Sequence, residues 1–104
     1  MMQADNVKVE LEHMEIHMGD FKGSKLKLKG NATYEDLMLV LDGGKTKVRL
    51  HARNIGNVHL EKKGIRIAAM NFEINEGGNI STATGSIRLE LGYDAEAWYK
   101  ELWG

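Results

Sequence analysis

The chain has 104 residues, no cysteine, no proline and a formal net charge of −1 at pH 7. Its length fits a single domain covering residues 1–104, and the lack of cysteine excludes disulfides, thiolate metal sites and cysteine nucleophiles. With 42% hydrophobic and 28% charged residues, the composition is that of a globular protein. Residues 1–6 lack the pattern of a secretory signal, and no apolar run approaches the roughly 18 residues that span a bilayer. We therefore expect a cytoplasmic protein without a membrane segment.

Apolar and polar residues alternate with a period of two along most of the chain, which is the pattern of half-buried strands. The apolar residues occupy odd positions from 7 to 11 and even positions from 14 to 18. Such a shift exchanges the two faces of a strand unless a bulge absorbs it, so we predict a β-bulge at Glu12 and His13. A second shift follows residue 69. Further alternating segments lie at residues 25–29, 47–53, 58–60, 65–74 and 87–91.

Glycines separate these segments, because tight turns require residues that accept a positive φ angle. Asp42, Gly43 and Gly44 predict a hairpin turn. Residues 61–64 predict a type I turn closed by Gly64 in the left-handed conformation. Residues 54–57 and 75–79 are predicted to form further turns.

Two segments have apolar residues at helical spacing. The C-terminal segment places Ala95, Trp98, Tyr99 and Leu102 on one face, with Asp94 as a candidate N-cap. Residues 33–41 fit either a helix or a strand, and the hairpin signal that follows them favours the strand. We predict a β-rich α+β domain: a curved antiparallel meander sheet or partly closed barrel of about six or seven strands, with the C-terminal helix packed on it.

The small net charge conceals an ordered distribution of charged residues. Residues 1–21 carry −4, residues 22–66 carry +7 and residues 67–104 carry −4. A basic central block between two acidic ones indicates an electrostatic role for the central block. An acidic protein surface is the partner we expect for it.

Six basic residues of the central block share the outward parity of their strands: Lys25, Lys27, Lys29, Lys47, Arg49 and Arg53. We predict that they form one basic sheet face if their strands are neighbours. Binding of a polyanion or a nucleic-acid backbone is the alternative function, although Tyr34 is the only aromatic residue between positions 22 and 66 on which a base could stack. A purely structural interpretation pairs the lysines with acidic residues of adjacent strands or of another copy, namely Glu10, Glu12, Glu15 and Glu90.

Aromatic residues are concentrated near the C-terminus, where Trp98, Tyr99 and Trp103 are candidate anchors of a protein interface. Residues 37–41 are apolar at every position. Both features favour a non-enzymatic binding protein that acts through protein contacts and forms a homo-oligomer. The alternatives are that both segments are simply buried, or that the protein carries an apolar ligand.

His13, Glu15 and His17 alternate along one strand and contain side chains that bind transition metals. On a straight strand the two histidines lie about 13 Å apart, too far to share one ion unless a bulge or a helical turn brings them together. We favour the interpretation that these residues form the polar face of a strand, and we predict no metal site. The chain also lacks a nucleophile elbow and a glycine-rich phosphate loop. We therefore expect neither enzymatic activity nor a cofactor.

Overall fold

Seven β-strands, two short 3-10 helices and one α-helix are formed by residues 1–103, the residues that the computed structural model describes. The strands are β1 (Met2–Met18), β2 (Leu26–Glu35), β3 (Met38–Asp42), β4 (Thr46–His51), β5 (Ile55–Glu61), β6 (Gly64–Glu76) and β7 (Asn79–Glu90). The 3-10 helices span Ala52–Asn54 and Gly92–Asp94, and the α-helix α1 spans Ala95–Leu102.

The strands form a closed antiparallel barrel. They are hydrogen-bonded in the order β4-β3-β2-β1-β7-β6-β5, and a further pairing of β4 with β6 closes the ring of six strands. One edge of β6 pairs with β7 over its whole length, so the other edge takes both β4, at residues 73–76, and β5, at residues 64–69. The predicted β-rich α+β barrel with a C-terminal helix is confirmed.

Two of the irregularities in strand pairing coincide with the two changes of phase in the alternation. The register between β1 and β7 shifts between Glu12 and Glu15, and His13 has a φ of 54°. The register between β6 and β7 shifts between Ala69 and Phe72, where Asn71 has a φ of 48°. The predicted bulge at Glu12 and His13 is therefore confirmed, and the second phase shift is a bulge as well.

The segment at residues 33–41 is a β-hairpin rather than a helix. Asp36 and Leu37 form its two-residue turn with φ angles of 52° and 64°, and Leu37 is 58% exposed. The preference for a strand was correct, but Leu37 belongs to the turn and not to the apolar strand. Neither turn residue is a glycine, which is why no glycine signal marked this turn.

Two of the other predicted turns are confirmed. The turn at Asp42 is confirmed, with the Gly44 N–H donating to Asp42 Oδ1 at 2.8 Å. The turn at residues 75–79 is confirmed as well, since these residues join β6 to β7.

Two turn predictions were wrong in detail. Lys63, and not Gly64, has the positive φ of 58° in the β5–β6 turn. Gly64 lies in β6, where a Cβ atom would sit 2.6 Å from the Leu89 carbonyl oxygen, so its role is to allow close packing. Residues 54–57 do not form a separate turn, because they end the first 3-10 helix and begin β5.

The inward side chains of the barrel and one face of α1 form a single hydrophobic core. Helix α1 contacts β5 and β6 and contributes Ala95, Trp98 and Leu102 to this core. Asp94 occupies the N-cap position, but its side chain makes no capping hydrogen bond, contrary to the sequence prediction. None of the helices within residues 1–103 has the length and apolar character that crossing a membrane requires.

Gly30 allows β2 and the end of β3 to approach closely, which gives a first testable prediction. A Cβ atom on Gly30 would overlap the Asp42 carbonyl oxygen and lie 2.9 Å from the Gly43 Cα atom. We expect Gly30→Ala to lower the free energy of unfolding by about 1–3 kcal/mol, the usual cost of overpacking. Urea-induced unfolding followed by circular dichroism measures this change.

Gly56→Ala is the matched control, because a Cβ atom there would meet its nearest neighbour at an ordinary 3.5 Å. We expect this variant to stay within about 0.5 kcal/mol of the original chain. Equal stabilities of the two variants would show that the close approach at Gly30 does not constrain the barrel.

Candidate functional site

Five side chains of alternating charge are linked by ion pairs on the outer surface of β1, β5, β6 and β7. Glu61 lies at its centre, accepting hydrogen bonds from Arg66 Nε and Arg88 Nε, each at 2.9 Å. Arg66 Nη1 also donates to Glu12 Oε1 at 3.1 Å, and Arg88 Nη1 donates to Glu90 Oε2 at 2.6 Å. We call these five residues the arginine network.

Glu61 offsets the repulsion between two arginines that face each other across β6 and β7. Arg66 and Arg88 are direct cross-strand partners in the β6–β7 register, and like charges at such positions destabilise a sheet. The hydrogen bond from Arg66, assisted by the one from Arg88, lowers the pKa of Glu61 below its ordinary value of 4.5, although burial acts in the opposite direction. The hydrogen bond to Glu61 likewise raises the pKa of Arg66.

The network leaves most of the predicted basic residues without acidic partners. Glu12 and Glu90, which the structural interpretation assigned to the lysines, are bound by the arginines instead. Within residues 1–103, only two lysines lie within 4 Å of a carboxylate: Lys47, 3.9 Å from Asp42, and Lys100, 3.2 Å from Glu96. The lysines of β2 therefore keep their charge available to an external ligand.

The six predicted basic residues are all exposed, but they form two patches rather than one face. Lys25, Lys27 and Lys29 lie at the start of β2, whereas Lys47 and Arg49 lie on β4 and Arg53 lies in the first 3-10 helix. Strand β3 separates β2 from β4. Lys47, beside Asp42, lies at the edge of the second patch.

The first patch is a shallow depression of about 470 Å³ on the outside of β1 and β2, which we call the lysine groove. Its lining residues are Lys8, Val9, Glu10, Lys27, Leu28 and Lys29. Lys8 directly faces Lys29 across the strand pair, and Lys27 faces Glu10. Lys8 was not among the predicted basic residues, since it belongs to the acidic first block and joins the groove only through the strand register.

The second patch surrounds a cavity of about 180 Å³ between the first 3-10 helix and β6, which we call the arginine cavity. The cavity includes two of the predicted basic residues and four polar residues that the sequence did not single out. Its lining residues are Met38, Arg49, His51, Arg53, Asn54, Asn71 and Glu73. The outward parity of His51 and the bulge at Asn71 were visible in the sequence, but their proximity depends on the β4–β6 pairing.

The three predicted aromatic anchors differ in accessibility. Trp98 is 1% exposed and belongs to the core, Tyr99 is half-buried, and Trp103 is 46% exposed. Amphipathic spacing predicted the helix but did not distinguish its buried face from an interface. Tyr93, which had no predicted role, is fully exposed.

The histidine segment does not assemble into a metal-binding cluster. His13 lies at the bulge, and His17 Nε2 is 2.7 Å from Thr84 Oγ1. No group of three or more His, Asp or Glu side chains in residues 1–103 is arranged to hold a metal ion.

A further cavity of about 460 Å³ lies between the β1–β2 loop and the β6–β7 hairpin. Phe21, Leu26 and Ile74 provide its apolar lining, and Asp20, Lys22 and Glu76 provide charged groups. The loop is held in place by the Phe21 N–H, which donates to Ser81 Oγ at 3.0 Å.

Comparison with known proteins gives no match: no family model, no curated protein and no solved structure is detectably similar to this chain. The functional assignment therefore depends on the geometry of the surface.

The lowered pKa of Glu61 predicts a specific dependence of stability on pH. Because the folded-state pKa lies below the ordinary 4.5, the stabilisation from Glu61 is present above pH 4.5 and is lost as the pH falls through the folded-state value. We expect Glu61→Gln to lower the free energy of unfolding by about 1–2 kcal/mol at neutral pH and by less at roughly pH 3. Urea-induced unfolding at both pH values measures the difference.

Glu96→Gln is the control for this prediction. The Glu96–Lys100 pair is an exposed i,i+4 contact at 3.2 Å, so its loss should cost about 0.5 kcal/mol or less. If the cost of Glu61→Gln is the same at both pH values, Glu61 does not act through its charge.

Proposed function

We propose that this protein is a non-enzymatic binding protein that associates with further copies of itself through the lysine groove. The observation that carries the proposal is the direct opposition of Lys8 and Lys29 on β1 and β2. Like charges at opposed positions destabilise a sheet, and the nearest strand partner of Lys8 on the other side, Glu90, is already bound by Arg88. An external carboxylate in the groove would relieve this repulsion.

The spacing of the lysines favours an extended acidic segment as the occupant. Lys27 and Lys29 project from alternate positions of β2, and same-face residues of a strand lie about 7 Å apart. A segment with closely spaced acidic residues matches this arrangement.

The chain itself carries a segment with this chemistry. The β2–β3 turn presents Glu35, Asp36 and Leu37, which are consecutive and all exposed. Insertion of this turn into the lysine groove of a second copy would pair its two carboxylates with the lysines. Since groove and turn are different surfaces of the same molecule, the contact is heterologous and adds copies head to tail.

A protein ligand fits the groove better than a nucleic acid does. None of the six lining residues is aromatic, so the groove offers no surface for stacking of bases.

A charge-exchange experiment tests this association. We expect light scattering to detect oligomers of the original chain that dissociate as salt is added, because the contact is between exposed charges. Lys27→Glu with Lys29→Glu makes the groove acidic, and Glu35→Lys with Asp36→Asn makes the turn basic; each variant alone should be monomeric. An equimolar mixture of the two variants should associate again, since each supplies the complement of the other.

Lys62→Glu with Lys63→Glu is the matched control. It changes the net charge as much as the groove variant does, but at the exposed β5–β6 turn, outside the groove. This variant should associate like the original chain. Monomeric behaviour of the original chain at all concentrations and salt levels, or no recovery in the mixture, would overturn the proposal. Binding of single-stranded DNA that depends on Lys27 and Lys29, without self-association, would favour the polyanion alternative.

A further inference from the structure

The four arginines of the chain fall into two classes. Arg66 and Arg88 each bind two carboxylates in the arginine network. The guanidinium groups of Arg49 and Arg53 have no hydrogen bond or ion pair with any other residue of the described range, 1–103. A guanidinium group presents a planar fork of donors that matches a phosphate or carboxylate, so two uncommitted forks at one cavity indicate an oxyanion ligand.

The arginine cavity exists because the barrel wall is interrupted there. The pairing of β4 with β6 ends at Arg49 and Glu73, and the pairing of β5 with β6 starts at Ile55 and Ala69. Between these points the first 3-10 helix leaves the sheet on one side, and the bulge at Asn71 leaves it on the other. The two irregularities together open a polar recess of about 180 Å³.

The Nε2 atom of His51 is available to donate a hydrogen bond to a ligand in this cavity. Its Nδ1 atom accepts from the Arg53 backbone N–H at 3.0 Å, so in the neutral ring the hydrogen resides on Nε2. No acceptor for Nε2 is found elsewhere in the described part of the chain. Asn54 and Asn71 add amide donors to the lining.

We infer that the arginine cavity binds the oxyanion group of a small molecule, a phosphate or a carboxylate, between Arg49 and Arg53. A volume of about 180 Å³ is smaller than the roughly 300–1,000 Å³ of typical small-molecule sites, so it holds a head group while the rest of the ligand stays outside. This inference does not depend on the lysine groove or on self-association.

Glu73 narrows the class of ligand further. It is the cross-strand partner of Arg49, yet the two side chains form no ion pair. A carboxylate beside an oxyanion site is unfavourable unless it accepts a hydrogen bond from the ligand. The ligand therefore carries a hydroxyl or ammonium group next to its oxyanion, as hydroxylated phosphates and hydroxy acids do.

Titration of the 15N-labelled protein, followed by NMR, tests this inference with three probes: inorganic phosphate, glycerol 3-phosphate and glycerate. We expect saturable shifts at residues 49–54 and 71–73, and the probe that binds most tightly identifies phosphate or carboxylate as the preferred group. Arg49→Lys and Arg53→Lys retain the charge but lose the fork, and each should weaken binding about tenfold. Glu73→Ala removes the acceptor for a ligand hydroxyl and should weaken the binding of glycerol 3-phosphate relative to inorganic phosphate.

Lys62→Gln with Lys63→Gln, at the exposed β5–β6 turn outside both the groove and the cavity, is the control and should leave the affinity for all three probes unchanged. Shifts that spread over the lysines without saturating would show general attraction of anions and overturn the inference. Unchanged affinity in both arginine variants would overturn it equally.

Discussion

The barrel depends on the sharing of one edge of β6 between two strands. Because β7 occupies the other edge along its full length, β4 and β5 must follow one another on the remaining edge. The chain between them leaves the sheet as the first 3-10 helix and then returns. The same arrangement of strands therefore closes the barrel and leaves a gap in its wall. The arginine cavity lies at this gap.

The pairing of β1 with β7 determines which charged residues form ion pairs with one another and which do not. It places Glu12 and Glu90, from the two acidic blocks of the sequence, on neighbouring strands. Arg66 from the central block and Arg88 neutralise both, with Glu61 between them. The basic residues that remain outside the network include the lysines of β2 and the two arginines beside the cavity. The arginine network thus stabilises the fold and occupies carboxylates that could otherwise pair with the other cations.

Local features of the fold could be predicted from the sequence. Alternation located the strands, and changes of its phase located the bulges at His13 and Asn71, because a strand has a fixed period of two. The β2–β3 turn was missed because Asp36 and Leu37 adopt positive φ angles without a glycine. The groove was only partly predicted, since Lys8 joins Lys29 through the register of β1 and β2. The arginine cavity requires the long-range pairing of β4 with β6, which no local pattern specifies.

The division of the arginines into two classes is the central claim, and the exchange rates of their Nε–H groups test it most directly. Arg66 Nε and Arg88 Nε both donate to Glu61 at 2.9 Å, so their NMR signals should exchange slowly with water. The signals of Arg49 and Arg53 should exchange rapidly and slow down only when an oxyanion is added. Four arginine signals with the same rate, or slow exchange at Arg49 and Arg53 without any ligand, would contradict the account.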